Sequence, residues 1–347
     1  MALHEITTKD NPLSIIDYLP EGILDLEAYE LHTLLDGPTL IHLQGKIKQP
    51  LFVTVLQHGN EPTGWDAISA VLKKEADKLP RSLILLIANV TAAQHKQRKL
   101  EHQPDFNRCW LHSGEYTHEF QKVTTQVIEY AKKYQPFASV DLHNNTGLNP
   151  HYAAINKLDN AFFQLATLFS RIVVYFEIPE CVQSNAFAQI CPSVTLECGQ
   201  VGENAALDHA IEYLHSCLHI HHLPEKHVTT QDMDLFHTLA TIKIPSKTSF
   251  GFKKPEHDIR FVSNLDHLNF RELTAGTLIG YYHEHAKDAL RAIDEYGKDI
   301  SQETFIYENG EIRLTRAFMP AMLTLDHHII REDCLCYMME RMHLHTK

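Results

Sequence analysis

LFVTVLQHGNEPTG, residues 51–64, is the stretch that decides the fold. Seven mostly apolar residues run into His58 and stop at Gly59. Glu61 follows three positions after the His, and Pro62 and Gly64 open a new segment. An ordinary turn would be served by Asn, Asp or Ser. A buried strand ending in an imidazole and a carboxylate, with glycines on both sides, suits a metal ion better.

Outward from this stretch the pattern repeats. LIHLQG, LFVTVLQ, SLILLIANV, FASVDLH (137–143), IVVYFEI and SVTLECG (193–199) read as strands. PTGWDAISAVLKKEADKL, HEFQKVTTQVIEYAKKY (118–134), DNAFFQLATLFSR and ENAALDHAIEYLHSCLHI read as helices between them. Pro62 suits a first helical turn, Thr91 a cap for the short TAAQHKQR helix, and Asn204 a cap for the last long one. Continuous apolar strands separated by helices predict an α/β fold: a mixed, mainly parallel sheet covered by helices on both faces. After about residue 224 the texture changes. LPEKHVTTQDMD is a polar junction, followed by short β pieces with turn punctuation, and YENGEI reads as a hairpin with Asn309-Gly310 at its tip. The expected division is therefore 1–224 as an α/β domain and 225–347 as a smaller β-rich domain.

The bulk numbers exclude several classes. The chain has 347 residues, long enough for two domains, and its 44% hydrophobic and 22% charged content is that of a globular protein. With 31 basic against 44 acidic residues the net charge is −13, which disfavours nucleic acid, since phosphate binding needs clustered cations. The longest apolar run, LILLIANV, is far below the roughly 20 residues that cross a bilayer. MALHEITTKDNPLSIID has no basic segment followed by an apolar core, so a cytoplasmic location is expected. Seven scattered cysteines without a CxxC pair predict reduced thiols, with Cys334 and Cys336 in core or half-buried strand positions. A homo-oligomer is compatible with all of this.

His58 and Glu61 follow one strand, His143 ends another, and Glu197 ends a third. Open α/β sheets bind ligands beyond the carboxyl ends of their strands, so three strands deliver two His and two Glu to one edge. With 25 histidines no single His decides anything, but the joint pattern does. Two His and one carboxylate with an open position is a catalytic zinc arrangement. Zinc brings the pKa of water to about 7, and a carboxylate outside the coordination shell, here Glu197, can move the proton to a leaving amine. Asp141, two residues before His143, faces the same side and can hold its imidazole. DFNRCW (105–110) adds Asn107 and Arg108 as a clamp for a substrate carboxylate, and Gln97-Arg98 a polar wall. The tract HSCLHIHH (215–222) contains no carboxylate and reads as a helix C-terminus, where partly charged imidazoles are favoured.

HGNEPTG, DFNRCW, VDLHNNTG and TLECGQ, in this order, resemble the succinylglutamate desuccinylase/aspartoacylase family of the zinc carboxypeptidase-like superfamily. The resemblance covers about residues 40–220. It implies one Zn2+ held by His58, Glu61 and His143, Glu197 as general base and acid, Asn107 and Arg108 on a substrate carboxylate, and Arg98 polarising the scissile carbonyl. The implied reaction is hydrolysis of the amide bond of an N-acyl amino acid or similar small carboxylate. A metallocarboxypeptidase acting on peptides or peptidoglycan fragments, and a non-catalytic zinc-binding protein, are the alternatives. Two departures leave the acyl group and amino acid open. Phe187 stands where the family usually has a further carboxylate-binding Arg, ten residues before Glu197, and Tyr307 is out of register with the tyrosine that closes the aspartoacylase pocket.

Overall fold

The computed structural model describes residues 12–111, 114–254 and 256–343. Of the N-terminal segment MALHEITTKDNPLSIID, from which a cytoplasmic location is expected, the first 11 residues lie outside them. The chain forms two compact units. The first runs to Asn144 and resumes over His151–Asp234; the second takes Asn145–Pro150 and continues from Leu235.

In the first unit the order is β1 (Ser14–Ile16), β2 (Thr39–Leu43), β3 (Ile47–Val55), α1 (Thr63–Glu75), β4 (Arg81–Ile87), α2 (Val90–Gln94), α3 (Glu119–Tyr134) and β5 (Ala138–His143). Then come β6 (Tyr152–Ile155), α4 (Asn160–Thr167), β7 (Ile172–Tyr175), α5 (Gln183–Phe187), β8 (Ser193–Glu197) and α6 (Asn204–His219). The strands lie side by side in the order β1-β2-β4-β3-β5-β8-β6-β7. Pairing is parallel except where β2 meets β4 and β6 meets β8. This is the mainly parallel sheet that the apolar runs predict. β4 and β5 are buried at every position, as strands covered on both faces must be. The sequence reading passed over β6, whose four residues are too few to show a period.

From β3 the chain crosses through α1 to β4 on one side and returns to β5 on the other. The gap between β3 and β5 is thus the point where strand order reverses, the place where such sheets form a crevice. Against one face of the sheet, Phe52 and Ile84 pack with Phe106, Trp110 and, from α3, Phe120, Val123 and Val127.

Two helix starts differ from expectation. Asn89, not Thr91, caps α2: its side chain accepts the Ala92 N–H at 3.2 Å, while the Thr91 hydroxyl bonds the same Asn89 oxygen. Asn204 is already helical in α6, with Glu203 at the cap position. The division of the chain comes after Asp234 rather than at 224/225. Residues 225–234 are tied back to the first unit: Asn160 accepts the Val228 N–H, Arg171 donates to the Gln231 carbonyl, and Asp234 N–H donates to the Arg171 carbonyl.

The second unit is β-rich. It holds β9 (Asp234–Lys243), β10 (Phe250–Gly251), β11 (Ile259–Phe261), β12 (Leu278–Tyr282), β13 (Arg291–Asp294), α7 (Ser301–Thr304) and β14 (Phe305–Glu308). β15 (Glu311–Leu314), β16 (Met319–Ala321), α8 (His327–Glu332) and β17 (Cys336–Met342) complete it. One sheet runs β10-β11-β12-β15-β14. In another group β9 pairs with β13 and β17, and β17 with β16, all antiparallel. The β14–β15 hairpin turns on Asn309 and Gly310, with φ of 52° and 78°, the left-handed pair that a two-residue loop of this kind requires. All seven cysteines are free thiols, and both Cys334 and Cys336 are buried.

Candidate metal and active site

β3 ends at Val55, and Leu56 takes a left-handed backbone, φ 58°, which is strained for a branched side chain. The strain is held by neighbours: Ala88 N–H donates to the Val55 carbonyl and Asn89 N–H to that of Leu56. The bend swings Gln57 and His58 across the end of the sheet. The two glycines flanking Glu61 have separate reasons. A Cβ on Gly59 would meet the Ala93 backbone nitrogen at 2.2 Å, because α2 passes directly beneath; one on Gly64 would meet the Leu142 side chain at 2.9 Å, where α1 lies against β5.

His58, Glu61 and His143 are all buried, and ligating atoms from the three lie within 4.8 Å of one another. His58 Nδ1 is 2.8 Å from Glu61 Oε1, His143 Nδ1 is 2.8 Å from Oε2, and the two Nδ1 atoms are 3.2 Å apart. A tetrahedral zinc with bonds of about 2.0–2.1 Å has ligand-to-ligand edges of about 3.3 Å, close to the nitrogen separation here. The far side of each ring is already committed. His58 Nε2 lies 3.1 Å from Asp105 Oδ1, and His143 Nε2 2.9 Å from Asp141 Oδ2. A carboxylate only accepts, so with a metal ion bound on the Nδ1 side each Nε2 would carry the hydrogen and each Nδ1 would turn its lone pair to the ion. Three converging donors of this kind fit a borderline divalent ion such as zinc.

The supporting carboxylates are themselves held. Asp141, fully buried, also accepts from Gln57 Nε2 at 2.7 Å, and Gln57 Oε1 accepts from the Trp110 indole at 2.6 Å. Asp105 Oδ1 accepts the Asn107 N–H, and its Oδ2 receives Arg98 Nε at 3.1 Å and Nη2 at 2.8 Å. Asn144 N–H lies 3.3 Å from Glu61 Oε2, while its side-chain oxygen accepts the Thr63 N–H. Burial raises the Glu61 carboxyl, but the His58 and His143 imidazoles outweigh it and pull the group well below its ordinary range. The Asp105 carboxyl goes the same way, its burial overcome by His58, then Arg98 and Arg108. For His143, burial disfavours the cation, yet Asp141 and Glu61 push its pKa well above the usual imidazole value. A doubly acidic surrounding of this sort attracts a cation, metal or proton.

Glu197 ends β8 directly in register with His143 on the neighbouring parallel strand, so both side chains leave the same face. It is partly exposed where His143 is buried. Cys198, next in line, is no rival ligand: burial, then the Glu197, Glu61 and Asp141 carboxylates, keep its thiol protonated. Arg98 stands beside the cluster, with Nη1 3.7 Å from Glu61 Oε1, but most of its guanidinium faces Asp105. Asn107 is buried, its oxygen accepting the Gln183 N–H at 3.0 Å and its nitrogen 3.3 Å from His143 Nε2. Arg108, partly buried, donates to the Asn107 carbonyl. Phe187 is not on a pocket wall. It is fully buried on Phe52 and Trp110, at ring separations of 4.4 and 5.9 Å. Sequence reasoning gave no role to Asp105, Gln57 or Asn144. For Asp105 the signal was present, since an Asp two residues before Asn107 is a turn-capping position.

Fold and cluster together define a parallel-sheet α/β protein with a two-histidine, one-glutamate site at its strand ends. Residues 49–214 match the family model described as the Succinylglutamate desuccinylase/Aspartoacylase catalytic domain. No curated protein matches by sequence. Among solved structures the chain is similar to a succinylglutamate desuccinylase/aspartoacylase from Rhodobacter sphaeroides, with TM-score 0.58, 14% identity, and 87% of this chain and 88% of that one covered. The succinylglutamate desuccinylase from Chromobacterium violaceum gives TM-score 0.55, 15% identity and 86% of each chain. Murine aminoacylase 3 gives 0.53 and 14%, over 86% of this chain and 96% of its own. At these identities the likeness is one of fold. Among the described residues, no helix is long and apolar enough to cross a membrane.

Proposed function

We propose that this protein is a zinc-dependent hydrolase of the amide bond in an N-acyl amino acid or similar small carboxylate. The observation that carries the reading is the opposition of two imidazole Nδ1 atoms and both oxygens of one buried glutamate, each ring backed by its own carboxylate. His58, Glu61 and His143 hold the ion. A zinc ion bound there supplies Lewis acidity and makes water a usable nucleophile near neutral pH. Glu197, on the same face as His143 and more open to solvent, takes the proton of the attacking water and returns it to the departing amine nitrogen. Arg98 Nη1 stabilises negative charge on the carbonyl oxygen. Asn107 and Arg108 hold the substrate carboxylate and so orient the amide. The match of residues 49–214 to that family model supports deacylation of a small substrate, in a cytoplasmic setting consistent with seven reduced thiols.

The test is Glu197→Gln alongside wild type, with zinc content and turnover of a panel of N-acyl amino acids measured on both. Full zinc occupancy with turnover reduced at least a hundredfold is expected. Near-normal activity in the variant would overturn the assignment.

A further inference from the structure

A second cluster lies away from this site, at the far end of α1. Glu75, the last residue of α1, meets His215 and His219 of α6. His215 Nε2 is 3.2 Å from Glu75 Oε1 and His219 Nε2 is 3.8 Å from the same oxygen. The two histidines are four apart, hence on one face of the helix, with their rings stacked 4.1 Å apart at 24°. Ligating atoms from all three residues lie within 4.8 Å of one another, the second such group among the described residues.

Three features mark this as more than a surface ion pair. First, His219 Nδ1 lies 2.9 Å from the His215 backbone carbonyl. A carbonyl only accepts, so Nδ1 carries the hydrogen and Nε2 turns its lone pair toward Glu75. Second, Glu75 is largely shielded, and its Oε2 is buried without any hydrogen bond. A desolvated carboxylate oxygen with no partner is costly, and a cation bound beside the carboxylate offsets part of that cost. Third, Glu75 and His215 border a cleft of about 410 Å³, room enough for waters to complete a coordination shell. Two imidazoles and a carboxylate with an open position suit Zn2+, Cu2+ or Ni2+ rather than Mg2+ or Ca2+. The carboxylate that the HSCLHIHH tract lacks in sequence is supplied by the fold.

We infer that Glu75, His215 and His219 form a second, surface metal site that binds a borderline divalent cation and ties the C-terminal ends of α1 and α6 together. It is independent of the His58 cluster. The experiment is a zinc titration of metal-free full-length protein against a chromophoric chelator, comparing wild type, His215→Ala/His219→Ala, Glu75→Gln and His221→Ala/His222→Ala. Wild type should bind two zinc equivalents of unequal affinity. The 215/219 variant should bind only one, Glu75→Gln should weaken the second at least tenfold, and the 221/222 variant should match wild type. Cu2+ added to protein already holding one zinc equivalent should show two nitrogen couplings in its electron paramagnetic resonance spectrum, lost in the 215/219 variant. The inference is overturned if wild type and the 215/219 variant bind the same number of zinc ions with equal affinity. It is overturned equally if the 221/222 change abolishes the second equivalent, since the tract as a whole would then be responsible.

Discussion

Replacing Asp141 by Asn isolates the electrostatic part of the metal site from its shape. Asp141 Oδ2 receives two hydrogen bonds, from His143 Nε2 at 2.9 Å and Gln57 Nε2 at 2.7 Å, while Oδ1 is buried with no partner. An asparagine can place its single oxygen where Oδ2 was and its amide nitrogen where Oδ1 was. Both bonds survive, and one unpaired buried atom is exchanged for another. What disappears is the negative charge that makes His143 Nδ1 a stronger donor to a cation. Loss of such a supporting carboxylate costs about 10–100-fold in metal affinity, or about 1.4–2.7 kcal/mol. The same change at Asp105 would be less clean, because its Oδ2 faces the Arg98 guanidinium and an amide there would oppose donor to donor. The assay is zinc competition with a chelator of known affinity, with circular dichroism to confirm an unaltered fold. A zinc affinity within twofold of wild type in a folded Asp141→Asn protein would refute the argument that this carboxylate tunes the ligand.

Three other outcomes follow from the geometry. Asp66, in the first turn of α1, has its carboxyl pushed up to about 6 by burial and then by Glu27. Its contribution is therefore fully present below about pH 4 and lost as pH rises through about 6; discounted for partial exposure, Asp66→Asn should stabilise the protein by about 1 kcal/mol at pH 7 and by nothing at pH 3.5, read from urea unfolding at both values. Gly59→Ala must push its new methyl into the α2 backbone, and should cost about 1–3 kcal/mol and lower metal content together; a variant with unchanged melting temperature and full zinc would contradict the close approach. Phe187→Arg, although it restores a residue type usual in the family, should bury an unpaired guanidinium among Phe52 and Trp110 at a cost of about 4 kcal/mol or more; a loss below 1 kcal/mol in urea unfolding would place that side chain somewhere other than the core.

The mainly parallel sheet and the three strand ends that carry the candidate site are legible because each rests on a local signal. β4 closes on five apolar residues, β3 ends in the run LFVTV, and β3, β5 and β8 end at or just before His58, His143 and Glu197. What local reading could not supply was partnership. Asp105 precedes the Asn107-Arg108 pair by only two residues, but its meeting with His58 depends on a loop folding back across 47 residues. Phe187 aligns with a cation in the family pattern, and only packing shows that a short helix carries it inward onto Phe52. β6 was too short to announce itself, yet its antiparallel Tyr152–Glu197 register flanks the candidate base.

The same distinction explains why the two histidine clusters read so differently as sequence. In the first, the strand ends bring His58 and His143 together because parallel strands β3 and β5 are neighbours, and neighbouring strands terminate side by side. Any reader who assigns both strands to one sheet has nearly placed the candidate ligands. In the second, the i,i+4 spacing of His215 and His219 is plain on the helix, but the choice between a solvated helix end and a ligand pair turns on what stands opposite. That answer lies 140 residues upstream in Glu75, and it is fixed by how far α1 extends along α6. Lengthening or shortening α1 by a single residue would rotate position 75 by about 100° and remove the carboxylate from reach. The register of one helix against another, rather than the composition of the tract, decides whether these imidazoles have a third partner.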